Sequence, residues 1–443
     1  MTLKVGIVSL GCVKNLVDTE LMLGYLKQAG FIITNRETEA DVLIVNTCGF
    51  ITDSKEESIN TILEMAKMKE TGHCRVLIVA GCLSQRYGKE LMDEMPEVDG
   101  ILGVGMVPHI VAIVNRVLEG EKVLEVGEPG YEYGEGMPRV LSTPPYTAYV
   151  KIAEGCDNRC SYCAIPNIRG GYRSRTIETI EKETERLIDG GVKEIILIAQ
   201  DTTRYGIDIY GEYSLAGLIK KLVKFKGLFW LRLLYCYPTR FTPELIDVIA
   251  SERKVCRYID LPLQHASDAV LARMNRAGSK EQYRQLIYNL RKAIPDVTLR
   301  TSFIVGFPGE TDRDFQELLD FMLEVRFDRV GIFTYSPEEG TPAECLDNRI
   351  SEEIKQERYK KAMLLQQKIS LEKNKNKINN NISVLIEGKS SDRKETYIGR
   401  SEFDAPDIDG RVIVKSSKKL NAGDIVPVRI NRAYEYDLMG ELT

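Results

Sequence analysis

Three apolar runs early in the chain, LKVGIVSL, DVLIVNT and RVLIVAG, alternate with stretches of helical period, and six more such runs follow in the middle. Strand and helix in regular succession restrict a chain to parallel sheets covered by helices, because parallel neighbours need a crossover between them. The middle runs are AYVKIAEG, EIILIAQD, FWLRLLYC, RYIDLPL, LRTSFIVGF and RVGIFTYS, separated by stretches such as IETIEKETERLIDGG and RDFQELLDFMLEV. Six successive units suit an open, partial barrel better than the closed eight-unit form. At 443 residues the chain exceeds what one core usually organises. The aperiodic EPGYEYGEGMPRVLSTPP reads as a linker. The runs ISVLIEG, TYIGRS, GRVIVKS and DIVPVRINRAY read as a small antiparallel barrel. The expected fold class is therefore α/β with a β tail. A parallel-sheet domain over 1–127 precedes a linker over 128–145 and a partial (β/α)6 barrel over 146–340. A connecting segment over 341–378, whose many charges predict a solvated helix, then leads to the β-barrel over 379–443.

The cysteines fall where such sheets bind ligands. Cys12, Cys48 and Cys82 each follow one of the first three strands, and open α/β sheets take ligands beyond the carboxyl ends of their strands. Three cysteines at one sheet edge are expected to converge, and each has a glycine beside it (Gly11, Gly49, Gly81) that admits close backbone approach. The bland reading, three small buried hydrophobes, suits one such cysteine better than three. Cys74 precedes its strand and is expected at the opposite edge. In EGCDNRCSYCAIP, just after the first barrel strand, Cys156, Cys160 and Cys163 are spaced C-x3-C-x2-C with no fourth cysteine nearby. Zinc prefers four protein ligands, and none of the three histidines, His73, His109 and His265, is close in sequence. A structural cluster of thiols is a second reading; in the third, a cubane iron–sulfur cluster on three thiolates leaves one iron open, as a catalytic site requires.

CDNRCSYC resembles the motif of the radical S-adenosylmethionine superfamily. That resemblance implies a 4Fe–4S cluster on Cys156, Cys160 and Cys163, S-adenosylmethionine chelated at its open iron, and a 5′-deoxyadenosyl radical that abstracts hydrogen from an unactivated C–H bond. The three cysteines after three strands, this motif and the β tail together resemble the methylthiotransferase family, whose tail is the TRAM domain. Membership implies a second 4Fe–4S cluster on Cys12, Cys48 and Cys82 that carries the group to be transferred. It also implies two uses of S-adenosylmethionine, one as methyl donor and one as radical source.

CAIPNIRGGYRSRTIE, AQDTTRYGID, LPLQH and TSFIVGFPGET most resemble the branch that modifies the β-carbon of an aspartate on the twelfth protein of the small ribosomal subunit. The alternative is the branch acting on a transfer-RNA adenosine. From residue 379 onward there are 10 Lys and Arg against 11 Asp and Glu, without the basic excess expected of an RNA-binding module. RNA contact through Lys415, Lys418 and Lys419 is therefore allowed but not required. A non-enzymatic zinc adaptor built on the same thiols is the more distant alternative. The net charge of −5 argues against a surface made throughout for nucleic acid. With no apolar run of roughly 18 residues and no secretory leader, a cytoplasmic protein without a membrane partner is expected. Ten cysteines in that compartment point to metal or redox chemistry rather than disulfides. The sulfur donor and the reductant are not legible.

Other residues are weighed beside a plainer role. Gln200 and Asp201 end the second barrel strand and are candidates to contact the cofactor's amino group or to make structural hydrogen bonds. Gly306 and Gly309 in GFPGE are candidates to admit the adenosyl group or to form a tight turn. Arg173 and Arg175 read as surface cations, with a carboxylate-pairing role as the sharper option. His265 follows the fourth barrel strand and reads equally as a structural histidine. Cys236, Cys256 and Cys345 are expected to be packing or surface residues.

Overall fold

The computed structural model describes residues 3–131, 134, 136–391 and 393–443. Its first six strands, β1 (Lys4–Ser9), β2 (Ile32–Ile33), β3 (Val42–Thr47), β4 (Val76–Gly81), β5 (Gly100–Leu102) and β6 (Val123–Glu125), form one parallel sheet ordered β2-β1-β3-β4-β5-β6. Every residue of β3 and β4 is buried, which is why both read as unbroken apolar runs rather than alternating ones. Strands β2, β5 and β6 were not foreseen, since two or three residues are too short to show a period.

Strand β7 (Thr147–Lys151) opens the second unit and is followed by a ribbon of β8 (Ala153–Glu154) and β9 (Arg173–Ser174). Then come β10 (Glu194–Ile198), β11 (Trp230–Leu233), β12 (Val255–Asp260), β13 (Thr298–Val305) and β14 (Arg329–Thr334). Their order, β7-β10-β11-β12-β13-β14, is sequential and parallel throughout, and it runs from β7 at one edge to β14 at the other. The period of two sorts the side chains. Ala148, Val150, Ile195, Leu197, Leu231 and Leu233 join the core made with the flanking helices. Tyr149, Ile196, Ile198, Trp230 and Tyr258 instead join a cluster that includes Val17 and Leu21 of the helix Val13–Gln28 and Leu385 and Ala405 of the tail. One apolar cluster thus ties the three units together.

The tail strands β15 (Asn381–Lys389), β16 (Thr396–Ser401), β17 (Val412–Lys415), β18 (Ile425–Ala433) and β19 (Leu438–Leu442) close into a barrel, which leaves no open sheet edge. Two features correct the sequence reading. There is a fifth strand, and it pairs with β17 in parallel, so the barrel is not wholly antiparallel. The tail docks at the amino ends of the central strands. Arg400 donates to Thr147 and Glu194, the first residues of β7 and β10, while Arg232 donates to the carbonyls of Ser401 and Glu402. The carboxyl ends therefore face away from it.

The helix expected to be a solvated connector runs over Glu352–Lys375 and instead packs along β14, burying Lys355, Arg358, Gln366 and Asn374. Each has a fixed partner: Lys355 Nζ donates to Tyr335 O, Gln366 to Phe327 O and Asn374 to Tyr434 O, all at 2.9 Å, and Arg358 to Glu310 and Asp312. The expected linker includes residues 132, 133 and 135, which lie outside the described residues. Further along it, Arg139 is clamped between Glu20, Glu183 and the Tyr149 carbonyl, so this stretch is pinned to both domains. Among the described residues no helix is long and apolar enough to cross a membrane.

Candidate active site

The carboxyl ends of the two parallel sheets meet across a cavity of about 530 Å³. Cys12, Cys48 and Cys82 line one side of it, and Cys156, Cys160 and Cys163 the other. On the first side, Cys12 caps the helix Val13–Gln28, Cys48 follows β3 directly, and Cys82 begins the helix Cys82–Glu94. Two left-handed glycines permit this crowding. Gly11 has φ +81°, and a Cβ there would lie 2.7 Å from Cys48 Cβ; Gly81 has φ +98°, and a Cβ would collide with Asn46 Oδ1. Asn15 latches the loops by donating to Leu10 O at 2.8 Å and Thr47 O at 3.2 Å. On the second side, Cys156 N donates to Gly170 O and Cys163 N to Cys160 O, so the motif wraps as a compact loop after the β8 strand.

The two sides differ in electrostatics. Burial raises the Cys12 thiol's affinity for its proton, but the cations of Lys14 and Arg169 outweigh it, and the pKa ends below the ordinary value. Burial pushes Cys82 up to about 11 and Cys163 up to about 12, and also raises Cys48 and Cys156. Thiols so held ionise on binding a metal, whose charge replaces the solvent they have lost.

A buried ionic network joins the two halves. Arg169 Nη1 donates to Asp18 Oδ2 and Glu154 Oε2, both at 2.9 Å, and Arg169 Nη2 reaches Asn15 and the Cys82 sulfur. Lys151 Nζ donates to the same two carboxylates at 2.6 Å. Burial alone would raise Glu154, but Arg169 and Lys151 hold its carboxyl far below the usual range. Asp18 belongs to the first domain and the other three to the second, so the network fixes how the thiol groups face each other. Replacing Arg169 by Met leaves two buried carboxylates sharing one lysine. The expected loss is about 3–5 kcal/mol of folding stability, read from urea unfolding of the apo chain.

Further lining comes from residues beyond the strand ends. Gln200 donates to Glu154 Oε1 at 3.1 Å, and among the described residues its own Oε1 has no partner, leaving a buried acceptor at the cavity. Tyr235 (φ 61°) and Gln264 (φ 74°) follow β11 and β12 in left-handed conformations uncommon for such residues, and both line the cavity. Asp201 is not at the wall. It accepts from Asn158 Nδ2 at 3.0 Å and from Arg240, and caps the turn at Thr202–Arg204, so it reaches the cavity through Asn158. Gly306 and Gly309 do not line it either. Their turn is folded back on Glu310, which accepts from the amides of Gly306 and Phe307, and their missing Cβ atoms give room to Lys355 and Arg273.

Arg175 is buried, contrary to its reading as a surface cation, because it binds the Lys151 carbonyl and Glu183; Arg173, partly exposed, donates to the carbonyls of Gly171 and Arg169. His265 is buried off the cavity, takes a hydrogen bond from Ser267 N at 2.9 Å, and is kept neutral by burial, with a pKa near about 3. Cys74 and Cys256 are buried and Cys345 is exposed. Cys236, expected only to pack, also reaches the cavity wall, where burial holds its thiol well above the ordinary value. Lys415 and Lys418 line a separate hollow on the tail with Lys394, but Glu395 and Glu441 share it, so that patch is of mixed charge. The sequence reading missed Lys14, Arg169, Arg276, Tyr235 and Tyr237, all of which line the cavity.

The donor set decides what the cavity fits. Among the described residues lining it there is no imidazole or carboxylate; its thiols are the two groups of three and, beyond β11, Cys236. Among the described residues no three potential ligands are drawn together round a point as for one bound ion. Thiols in threes, with cations beside them, fit iron–sulfur clusters with one iron left open.

Fold and donor set define the class, a radical S-adenosylmethionine protein with an added N-terminal thiol-bearing domain. The superfamily's model matches residues 150–322; that of an "Uncharacterized protein family UPF0004" matches 4–103, and that of the TRAM domain 378–443. The radical S-adenosylmethionine methyltransferase TsrM from Kitasatospora setae shares the fold, with a TM-score of 0.59 at 14% identity over 77% of this chain and 74% of that one. Among curated proteins, the ribosomal protein uS12 methylthiotransferase RimO of Pelotomaculum thermopropionicum is 59% identical, covering 100% of this chain and 99% of that protein. RimO of Desulforamulus reducens is also 59% identical, over 99% of each. The chain belongs to the RimO family of methylthiotransferases.

Proposed function

We propose that this chain methylthiolates the β-carbon of an aspartate on ribosomal protein uS12, using two 4Fe–4S clusters and S-adenosylmethionine. The observation that carries the reading is the delivery of two three-cysteine groups, from two different sheets, to one cavity. Cys156, Cys160 and Cys163 would hold the cluster that, when bound, supplies the electron for reductive cleavage of S-adenosylmethionine, while Cys12, Cys48 and Cys82 would hold the one bearing the sulfur to be transferred. The protein's own part is positioning and shielding. Gln200 offers its free acceptor to the cofactor's ammonium, and Asp201 steadies Asn158 within the motif loop. Tyr162, Tyr235, Tyr237 and Phe333 give the cavity aromatic walls that exclude water from a reactive centre.

The substrate is tested by incubating reconstituted enzyme anaerobically with S-adenosylmethionine, sulfide and a strong reductant. A peptide bearing the aspartate loop of uS12 and a transfer-RNA anticodon stem-loop are offered together. The expected result is a methylthio gain on the peptide alone by mass spectrometry. Gain on the RNA alone contradicts the assignment.

A further inference from the structure

Among the described residues three cations line the cavity, and two of them are already engaged. Arg169 is spent on Asp18 and Glu154. Arg276 donates to the Pro262 carbonyl, lies 4.3 Å from the centre of the Tyr237 ring, and stands beside the Cys160 sulfur. Lys14 differs from both. It is only 7% exposed, and among the described residues no carboxylate or carbonyl accepts a hydrogen bond from its ammonium. Its Nζ sits 3.1 Å from the centre of the Tyr235 ring, and Tyr235 is held in its left-handed conformation by donating its backbone N–H to Asp260 at 2.9 Å. A ring face attracts the ammonium but does not satisfy its three donors. Cys12, Glu154 and Asp260 attract the ammonium through space without accepting a hydrogen bond from it, and a buried ammonium so left is kept where a ligand brings an anion into contact.

We propose that Lys14 anchors the carboxylate of the substrate's aspartate side chain and so makes the cavity selective for an acidic residue. The inference rests on the reading above and adds to it the group that recognises the substrate. The carbon to be modified bears that carboxylate, so a charge-assisted hydrogen bond to Lys14 fixes the carbon one bond away. Lys14 lies two residues from Cys12, which places the anchored side chain at the N-terminal thiols, where the transferred group is expected. An adenine ring has no anion to offer at that point. Lys14 is thus a specificity-determining residue. The competing account, in which Lys14 only offsets thiolate charge at Cys12, predicts no preference among substrates.

The test compares two fluorescently labelled uS12 loop peptides, one with the aspartate and one with asparagine in its place, for binding to the iron-loaded enzyme and to its Lys14→Met and Lys14→Arg variants. The wild type is expected to bind the aspartate peptide at least about tenfold more tightly. Lys14→Met should shrink that preference to within about twofold, and Lys14→Arg should retain most of it. Equal binding of both peptides by the wild type overturns the proposal, as does a full preference in Lys14→Met. Equal binding by the wild type overturns the proposal even if a variant takes up too little iron. Mass spectrometry of the same mixtures, run with reductant and S-adenosylmethionine, separates this from the functional reading: no methylthio gain on the wild type's peptide sinks that reading by itself.

Discussion

Alanine at any one of Cys156, Cys160 and Cys163 is expected to abolish 5′-deoxyadenosine formation and methylthiolation together, by about a thousandfold or more. The reason is that the three thiols act as a unit, and removing one member of a unit costs nearly as much as removing all. The site cannot recruit a replacement. Among the described residues lining the cavity there is no histidine or carboxylate, and the seventh thiol, Cys236, follows β11 rather than standing in the motif loop. Chromatographic assay of 5′-deoxyadenosine in each variant gives the measurement. Urea unfolding of the apo variants is run beside it; unchanged midpoints with activity lost place the defect in the cluster.

The second large effect divides the two halves of the cavity. Alanine at Cys12, Cys48 or Cys82 should leave 5′-deoxyadenosine formation within about threefold of wild type while methylthiolation falls to background. The division follows from geometry. The three N-terminal thiols come from a separate sheet, with loops latched by Asn15 and Asn46 within that domain, while the motif loop after β8 is held by its own bonds, Cys156 N to Gly170 O and Cys163 N to Cys160 O. A Cys48→Ala enzyme that methylthiolated normally with full iron content would remove these thiols from the reaction.

Much of this arrangement was legible because it follows from strand ends. The positions of Cys12, Cys48 and Cys82 needed only the inference that three apolar runs form one parallel sheet, and Gln200 likewise falls just past β10. The same reasoning misplaced Gly306 and Gly309. They also follow a strand, but Glu310 captures the turn's amides and Arg358 captures Glu310, so the turn packs against the helix Glu352–Lys375 instead of the cavity. That helix was misread for a related reason. Its buried stripe is polar, made of Lys355, Arg358, Gln366 and Asn374, and hydrophobic periodicity is blind to polar groups satisfied by tertiary partners. Lys14 and Arg169 were illegible in a deeper sense. A cation in a sequence reads as solvated, and Arg169 is buried only because Asp18, in another domain, meets it. The tail's amino-end docking is also a product of distant pairs such as Arg400 with Glu194, which leave no local signal.

The dispositions of tail and cavity bear on substrate entry. Because the β-barrel seals the amino ends of the central strands, a macromolecular substrate has to approach from the carboxyl side, where both domains present their loops. A flexible loop carrying one aspartate suits such an approach, since a side chain extended from a loop reaches between two walls.

The central claim is that two separate groups of thiols facing one cavity each hold an iron–sulfur cluster. Its most direct test is iron and sulfide analysis with Mössbauer spectroscopy after anaerobic reconstitution of the wild type, the Cys12/Cys48/Cys82 triple-alanine variant and the Cys156/Cys160/Cys163 triple-alanine variant. The account predicts about eight irons per wild-type chain and about four in each variant, all in cubane clusters. Zinc in place of iron, or a wild type that holds no more iron than either variant, would contradict it.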